Sequence, residues 1–209
     1  MDFVDALKQG SLTDIRKCPK ADLHNHFVLG GSRSYLKEHS GRDIRPIMKP
    51  LHSMDEMHAW NAQNIGDYFN SPEGRRMLIK ATFTQAKEDG VTVLEIGEDV
   101  RRAVECLELD EVQHGIAAAE DPSVIRFLSD NHIRLNITPS SNYLLGRVKD
   151  LKSHPIAELY RNGVDVTINS DDVLIFDSDV SKEYLRMYQS GCLTAEELDD
   201  IRKNGLREV

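Results

Sequence analysis

Five short runs of apolar residues, rich in Val, Ile or Leu, predict buried β-strands along the chain. They cover Ala21–Phe27, Val91–Gly97, Glu111–Ile116, Ile133–Thr138 and Val164–Asn169. Amphipathic segments lie between most of them, and strands that alternate with helices are typical of parallel βαβ units. The pattern therefore predicts an α/β fold with a parallel sheet.

Helical spacing and capping residues mark the helices of this pattern most clearly in four places. The apolar residues of Val100–Leu109 share one helical face. Asp121-Pro122 and His154-Pro155 each open a helix, since proline is favoured in the first turn. Thr194 begins a capping box for a last helix over Ala195–Lys203.

Polar side chains that can carry chemistry lie where three of the predicted strands end. His24 and His26 end the first strand, His114 ends the third, and Asp171 and Asp172 follow the fifth. In a parallel α/β barrel the carboxyl ends of the strands meet on one rim, where catalytic groups lie. We therefore expect these residues, which are distant in sequence, to lie together.

The histidine pair indicates a metal site. His24 and His26 are two residues apart on a strand, so both rings point to the same side, and two neutral imidazoles suit Zn²⁺ or another first-row divalent ion. Gly30-Gly31 would let the next loop turn tightly over such a site. Taken singly, Ser170-Asp171-Asp172 is also typical of a turn or helix cap, and His114 of a hydrogen-bonded histidine without a catalytic role.

Four motifs follow one another along the chain: KADLHNH, VQHGIAAAEDP, TPSSN and HPIAELYRNGVDVTINSDD. In order and spacing they resemble the adenosine and AMP deaminase family, part of the metal-dependent amidohydrolase superfamily. The resemblance covers Lys20–His26 and, almost continuously, the chain from Leu109 to about Tyr184. It implies a TIM-type (β/α) barrel and zinc-dependent hydrolytic deamination of a purine nucleoside, a purine base or a related heterocycle.

The resemblance also implies a role for each site residue. His24, His26 and Asp171 correspond to the zinc ligands of the family, and His114 to the histidine that orients and helps deprotonate the metal-bound water. Asp172 corresponds to the residue that holds the purine. Zinc lowers the pKa of bound water towards ~7, so hydroxide forms near neutral pH; in the family it adds to the carbon that bears the amine, and ammonia leaves.

Part of the family pattern is missing. The family has an H-x-G-E motif, which supplies a further metal ligand and the glutamate that protonates a purine ring nitrogen, and this sequence contains no such motif. An eight-stranded barrel normally needs ~250 residues, and five strands are predicted here. The barrel is thus expected to be incomplete, with an apparent join near residues 98–101. The explanations are a segment omitted from the sequence, an internal deletion, or assembly of two chains.

Two further departures widen the range of substrates. The family continues the histidine pair with Leu-Asp-Gly, where this chain has Phe27-Val28-Leu29-Gly30. The segment Gly41–Pro72, with three prolines and little periodicity, is predicted to be a lid or insertion. Two alternatives to purine deamination stay open. One is a metal-dependent hydrolase of another C–N bond. The other is a catalytically inactive truncated form, because the H-x-G-E ligand and acid are missing.

Composition narrows the class of partner. The 209 residues are expected to form one domain, and their formal net charge of -9 disfavours nucleic acid and anionic membranes as partners. The three scattered cysteines predict reduced thiols in a cytoplasmic protein. The expected partner is a small purine-like substrate, with homo-oligomer formation left open.

Overall fold

The structure is a computed structural model that describes residues 1–26, 29–96 and 111–207. Parallel strands alternate with helices, which confirms the predicted α/β class. The strands of the described residues are β1 (Lys20–Asn25), β2 (Val91–Ile96), β3 (Glu111–Gln113), β4 (Arg134–Ile137) and β5 (Val166–Ile168). Each lies within one of the predicted apolar runs or within one residue of it.

The helices frame the strands on their outer side and over the carboxyl ends. They are α1 (Phe3–Lys8), α2 (Leu12–Ile15), α3 (Arg33–Ser40), α4 (Met54–Asn64), α5 (Gly66–Phe69), α6 (Pro72–Asp89), α7 (Pro122–Asp130), α8 (Pro139–Leu144), α9 (Ile156–Arg161), α10 (Val173–Phe176), α11 (Val180–Gln189) and α12 (Ala195–Asn204), with a 3₁₀ turn at Ile116–Glu120. None of the helices in the described ranges is long and apolar enough to cross a membrane.

Local capping explains where the predicted helices begin. The Asp121 side chain accepts a hydrogen bond from the Ser123 N–H at the start of α7, and the Thr194–Glu197 capping box of α12 forms in full. The helix predicted over Val100–Leu109 and the apparent join near residues 98–101 lie outside the described residues.

The five strands of the described residues form one continuous row, in which β1 lies beside β5. β1 pairs with β2, and β3, β4 and β5 pair in that order, all in parallel. A bridge between Asn25 and Asp171 joins the two sheets, and the Asp171 N–H donates to the His24 carbonyl at 2.9 Å. The order is therefore β3-β4-β5-β1-β2, and among the described residues the outer strands β2 and β3 each pair on one side. This is an incomplete TIM-type barrel.

Strands β4 and β5 lie at the centre of the main apolar core. Both strands are buried along their whole length, with Leu135, Ile137, Val166 and Ile168 at 0–1% exposure. Helices α1, α7, α9, α11 and α12 cover them with apolar side chains. Truncating one such side chain to alanine typically costs ~2–5 kcal/mol, so these strands, which precede Thr138 and Asp171, depend on this packing.

The segment Gly41–Pro72 contains α4 and α5, which its weak periodicity does not predict. Its buried residues Ile44 and Ile65 pack in a second apolar cluster with Leu78 of α6 and Leu174 of α10. The Ile47 N–H also donates to the Ile175 carbonyl at 3.1 Å. The segment thus lies against α10, which begins directly after Asp172.

Asp89 is a buried carboxyl group at the junction of α6, α11 and β1. Its Oδ2 accepts a hydrogen bond from the Ser181 N–H at 3.1 Å, and Lys20 Nζ donates to its backbone carbonyl at 2.5 Å. Burial and, secondly, the negative charge of Asp179 raise the pKa of Asp89 to about 7. The folded protein therefore binds this proton more tightly than the unfolded chain does.

We expect Asp89 to make the free energy of unfolding depend on pH. Its contribution is fully present below about pH 4 and is lost as the pH rises through about 7, with a limiting slope of ~1.4 kcal/mol per pH unit for one proton. Asp89→Asn should remove that slope. Urea unfolding of both proteins across this range measures it, and equal slopes would show that Asp89 does not titrate in this window.

Candidate active site

The structure brings the five predicted site residues together at the carboxyl ends of the strands. His24 lies near the end of β1 and His26 directly after it, His114 follows β3, and Asp171-Asp172 follow β5 after a short link. The parallel order that places β5 beside β1 is what unites residues almost 150 positions apart. Their grouping on one rim is as expected from the sequence.

Three donor atoms lie at the mutual distances that one metal ion requires. His24 Nε2 is 3.3 Å from His26 Nε2, and Asp171 Oδ1 is 3.2 Å from His26 Nε2 and 3.8 Å from His24 Nε2. With bonds of ~2.0–2.1 Å, two ligands of a tetrahedral zinc ion are ~3.3 Å apart. The donor set of two imidazoles and one carboxylate therefore fits a first-row divalent ion.

Asp172 provides a buried oxygen that has no hydrogen-bond partner among the described residues. Its side chain is 1% exposed, and its Oδ1 lies 3.6 Å from His26 Nδ1. Burial and the neighbouring charge of Asp171 raise the pKa of this carboxyl group well above its ordinary value. A buried oxygen of this kind is costly unless a ligand pairs with it, so Asp172 marks a place where a ligand group fits.

His114 is held in one orientation by its backbone and by Thr138. The backbone N–H of His114 donates to the Asn136 carbonyl at 2.8 Å, and the ring Nδ1 is 3.0 Å from the Thr138 hydroxyl. That hydroxyl donates its proton to Ser141 Oγ, so His114 Nδ1–H must be the donor, and Nε2 keeps its lone pair. Burial lowers the pKa of His114, which favours this neutral form.

Two site residues have strained backbones. His114 and Asp171 have φ angles of 65° and 60°, in the left-handed region that non-glycine residues rarely occupy. Such strain costs ~1–3 kcal/mol and persists only where the surroundings impose it. The Asp171 N–H is fixed by the His24 carbonyl, so the conformation that aims Asp171 at the histidines is set by β1.

A buried aspartate beneath the site holds β1 and the Asp171 segment together. Asp22 on β1 accepts hydrogen bonds from the Ser170 N–H at 3.1 Å, from Ser170 Oγ at 2.5 Å and from Asn25 Nδ2 at 2.9 Å. Burial raises the pKa of the Asp22 carboxyl. Gly30 lies over Asn25 so closely that a Cβ there would be 1.8 Å from Asn25 Oδ1, so the loop over the site requires a glycine at this position.

Sequence reasoning did not find two residues that orient the histidines, Gln113 and Thr138. Gln113 Oε1 accepts a hydrogen bond from His24 Nδ1, and Thr138 contacts His114 as described. Gln113 lies within the third predicted strand, directly before His114, and Thr138 ends the fourth, which was the available signal. His154 is buried, its Nε2 lies 3.1 Å from Asn142 Oδ1, and burial lowers its pKa to about 4.

The described strands thus form a partial parallel barrel with this donor set on its carboxyl rim. The family model for adenosine deaminase matches residues 75–209. The chain belongs to the adenosine deaminase family.

Curated relatives agree with this assignment, and solved structures agree with the fold. An adenine deaminase from Rhodopseudomonas palustris is 33% identical over 86% of this chain and 57% of its own length, and an aminodeoxyfutalosine deaminase from Acidothermus cellulolyticus is 32% identical over 53% and 33%. The crystal structure of an adenine deaminase from Arthrobacter aurescens matches with a TM-score of 0.65 at 16% identity, over 90% of this chain and 93% of that chain.

The solved structures bear on the fold alone, because their sequence identity is low. An amidohydrolase from Burkholderia ambifaria with bound zinc matches with a TM-score of 0.57 at 15% identity, over 94% of this chain and 87% of that chain. The chain spans at most 60% of the length of the first curated relatives that it matches.

Proposed function

We propose that this chain carries the site of a zinc-dependent hydrolase that deaminates a purine nucleoside, a purine base or a related heterocycle. The observation that supports it most directly is the donor triad of His24, His26 and Asp171, whose atoms lie 3.2–3.8 Å apart. Membership of the adenosine deaminase family supports the reaction type.

Each residue has a role that its position supports. His24, His26 and Asp171 would hold the ion, which when bound supplies the Lewis acidity that generates hydroxide from water near neutral pH. His114 presents the Nε2 lone pair, fixed by the hydrogen bond from Nδ1–H to Thr138, and accepts a proton from the attacking water.

Asp172 is the group that we assign to the heterocycle. Its Oδ1, which accepts no hydrogen bond from the part of the chain that the structure describes, lies 3.6 Å from His26 Nδ1, so a ligand paired with it is held next to the metal donors. Because the side chain is buried, a hydrogen bond to it is stronger than one made in water. Asp172 therefore orients the ring so that the carbon bearing the amine faces the water held by His114.

A second candidate is a metal-binding form with little turnover. No H-x-G-E motif occurs in the sequence, and the outer strands of the described residues, β2 and β3, each pair on one side only. On this alternative the donor triad still binds zinc, but the acid that protonates the ring is missing. The loss of a general acid typically costs ~10²–10⁴-fold in rate.

One experiment separates these candidates. The 209-residue chain, verified by intact mass, is loaded with zinc, its metal content is measured, and ammonia release is followed from adenosine, adenine, AMP and aminodeoxyfutalosine, with His26→Ala as the control. We expect about one zinc per chain and zinc-dependent ammonia release that His26→Ala abolishes. Zinc binding without ammonia release would support the second candidate, and a chain that neither binds zinc nor releases ammonia would exclude both.

A further inference from the structure

Gln113 is an exposed side chain at the end of β3 that has no role in the function proposed above. Its side-chain oxygen contacts Nδ1 of His24, which lies on β1. Because β3 and β1 are separated in the sheet by β4 and β5, this contact crosses the mouth of the partial barrel rather than following a strand pair. It is therefore a specific contact between the β3 rim and a proposed metal ligand.

The contact determines which nitrogen of His24 carries the proton. An amide oxygen is an acceptor only, so the Nδ1 that faces Gln113 Oε1 must be the N–H. The neutral ring then has its lone pair on Nε2. That nitrogen lies 3.3 Å from His26 Nε2 and 3.8 Å from Asp171 Oδ1, where the ion would be bound.

We propose that Gln113 is a positioning residue for the metal site, which selects the Nδ1–H tautomer of His24 and so keeps its Nε2 available as a ligand. Histidine ligands generally donate their other N–H to an oxygen acceptor, and removing such a partner typically weakens metal binding 10–100-fold. The proposal rests on the function proposed above only in taking His24 as a ligand.

Gln113 is the direct neighbour of His114 in the sequence, and this adjacency has a second consequence. One short segment after β3 therefore orients a metal ligand through Gln113 and carries the proposed proton acceptor at His114. The left-handed backbone of His114, with φ of 65°, turns the two neighbouring side chains to their separate partners, His24 and Thr138. The segment thus couples metal binding to the placement of the proton acceptor.

The first test needs no metal. Metal-free protein with ¹⁵N-labelled histidine is studied by NMR at a pH where free imidazole is neutral, and the His24 signals are assigned by their loss in His24→Gln. We expect the Nδ1–H tautomer of His24 in the wild type, and a shift towards Nε2–H in Gln113→Leu. A wild-type His24 that is protonated on Nε2 would overturn the proposal, whatever the activity of the protein.

The second test measures zinc affinity by competition with a chelator. Gln113→Leu should bind zinc roughly 10–100-fold more weakly, while Gln113→Glu, which keeps an oxygen acceptor, should retain the wild-type affinity or exceed it. Gln63→Leu, an exposed glutamine on α4, is the matched control and should leave the affinity unchanged. Equal affinity of Gln113→Leu and the wild type, or an equal loss in Gln113→Glu, would overturn the proposal. A wild type that binds no zinc would instead contradict the proposed function.

Discussion

Asp171→Asn is expected to abolish most of the stabilisation that zinc gives the protein and to make the metal-free protein more stable. Asp171 Oδ1 is the donor closest to His26 Nε2, at 3.2 Å, so its replacement by an amide removes the only charged member of the donor triad. An ion present at a thousand times its Kd stabilises a protein by ~4 kcal/mol. If affinity falls by a factor of 100 or more, the same zinc concentration contributes about 1.4 kcal/mol or less.

The opposite effect in the metal-free protein follows from Asp172. The charge of Asp171 is one of the causes of the raised pKa of its buried neighbour, second to burial itself. Removing that charge lowers the cost of burying Asp172, so the free energy of unfolding of the metal-free protein should rise. Asparagine also tolerates the left-handed backbone at this position, so the substitution adds little strain.

Asp177→Asn is the matched control for this prediction. Asp177 also has a left-handed backbone, with φ of 51°, but it lies beyond α10 and pairs with Arg33. The variant should keep the full zinc-induced stabilisation. Thermal and urea unfolding with and without zinc give both quantities. If Asp171→Asn and Asp177→Asn respond equally to zinc, Asp171 is not a ligand.

The strands and the site residues could be predicted because each depends on a local pattern. Apolar runs such as Val164–Asn169 mark strands that are buried on both sides, and polar residues directly after them lie on the rim of any parallel barrel. The position of Asp171-Asp172 follows from that rule alone. Their roles in the reaction still required the resemblance to a family, since turn sequences have the same composition.

The helices of Gly41–Pro72 could not be predicted, because their stability comes from contacts distant in sequence. Ile44 and Ile65 are buried against Leu78 and Leu174, which no local periodicity indicates. Most helical stability in proteins comes from tertiary packing rather than from intrinsic propensity. The roles of Gln113 and Asp22 could not be predicted for the same reason, because their partners, His24 and Ser170, lie 89 and 148 residues away in the sequence.

Asp22 shows how much such a distant contact contributes. The free energy of unfolding of Asp22→Ala is expected to fall by ~3–5 kcal/mol, because the Ser170 N–H, the Ser170 hydroxyl and Asn25 Nδ2 would all lose a buried acceptor. Asp22→Asn keeps one acceptor oxygen and should be intermediate. Urea unfolding of the metal-free protein measures the loss.

Asp150→Ala separates the effect of burial from that of the hydrogen bonds themselves. Asp150 also accepts from the N–H and the hydroxyl of a single serine, Ser153, both at 2.8 Å, but these hydrogen bonds are exposed. Water replaces the carboxylate there, so the loss should be much smaller than that of Asp22→Ala. If Asp22→Ala costs no more than Asp150→Ala, Asp22 does not hold β1 to the segment that carries Asp171. A much larger cost, accompanied by weaker zinc binding, would show that this buried carboxyl group fixes the distance between the histidines and Asp171.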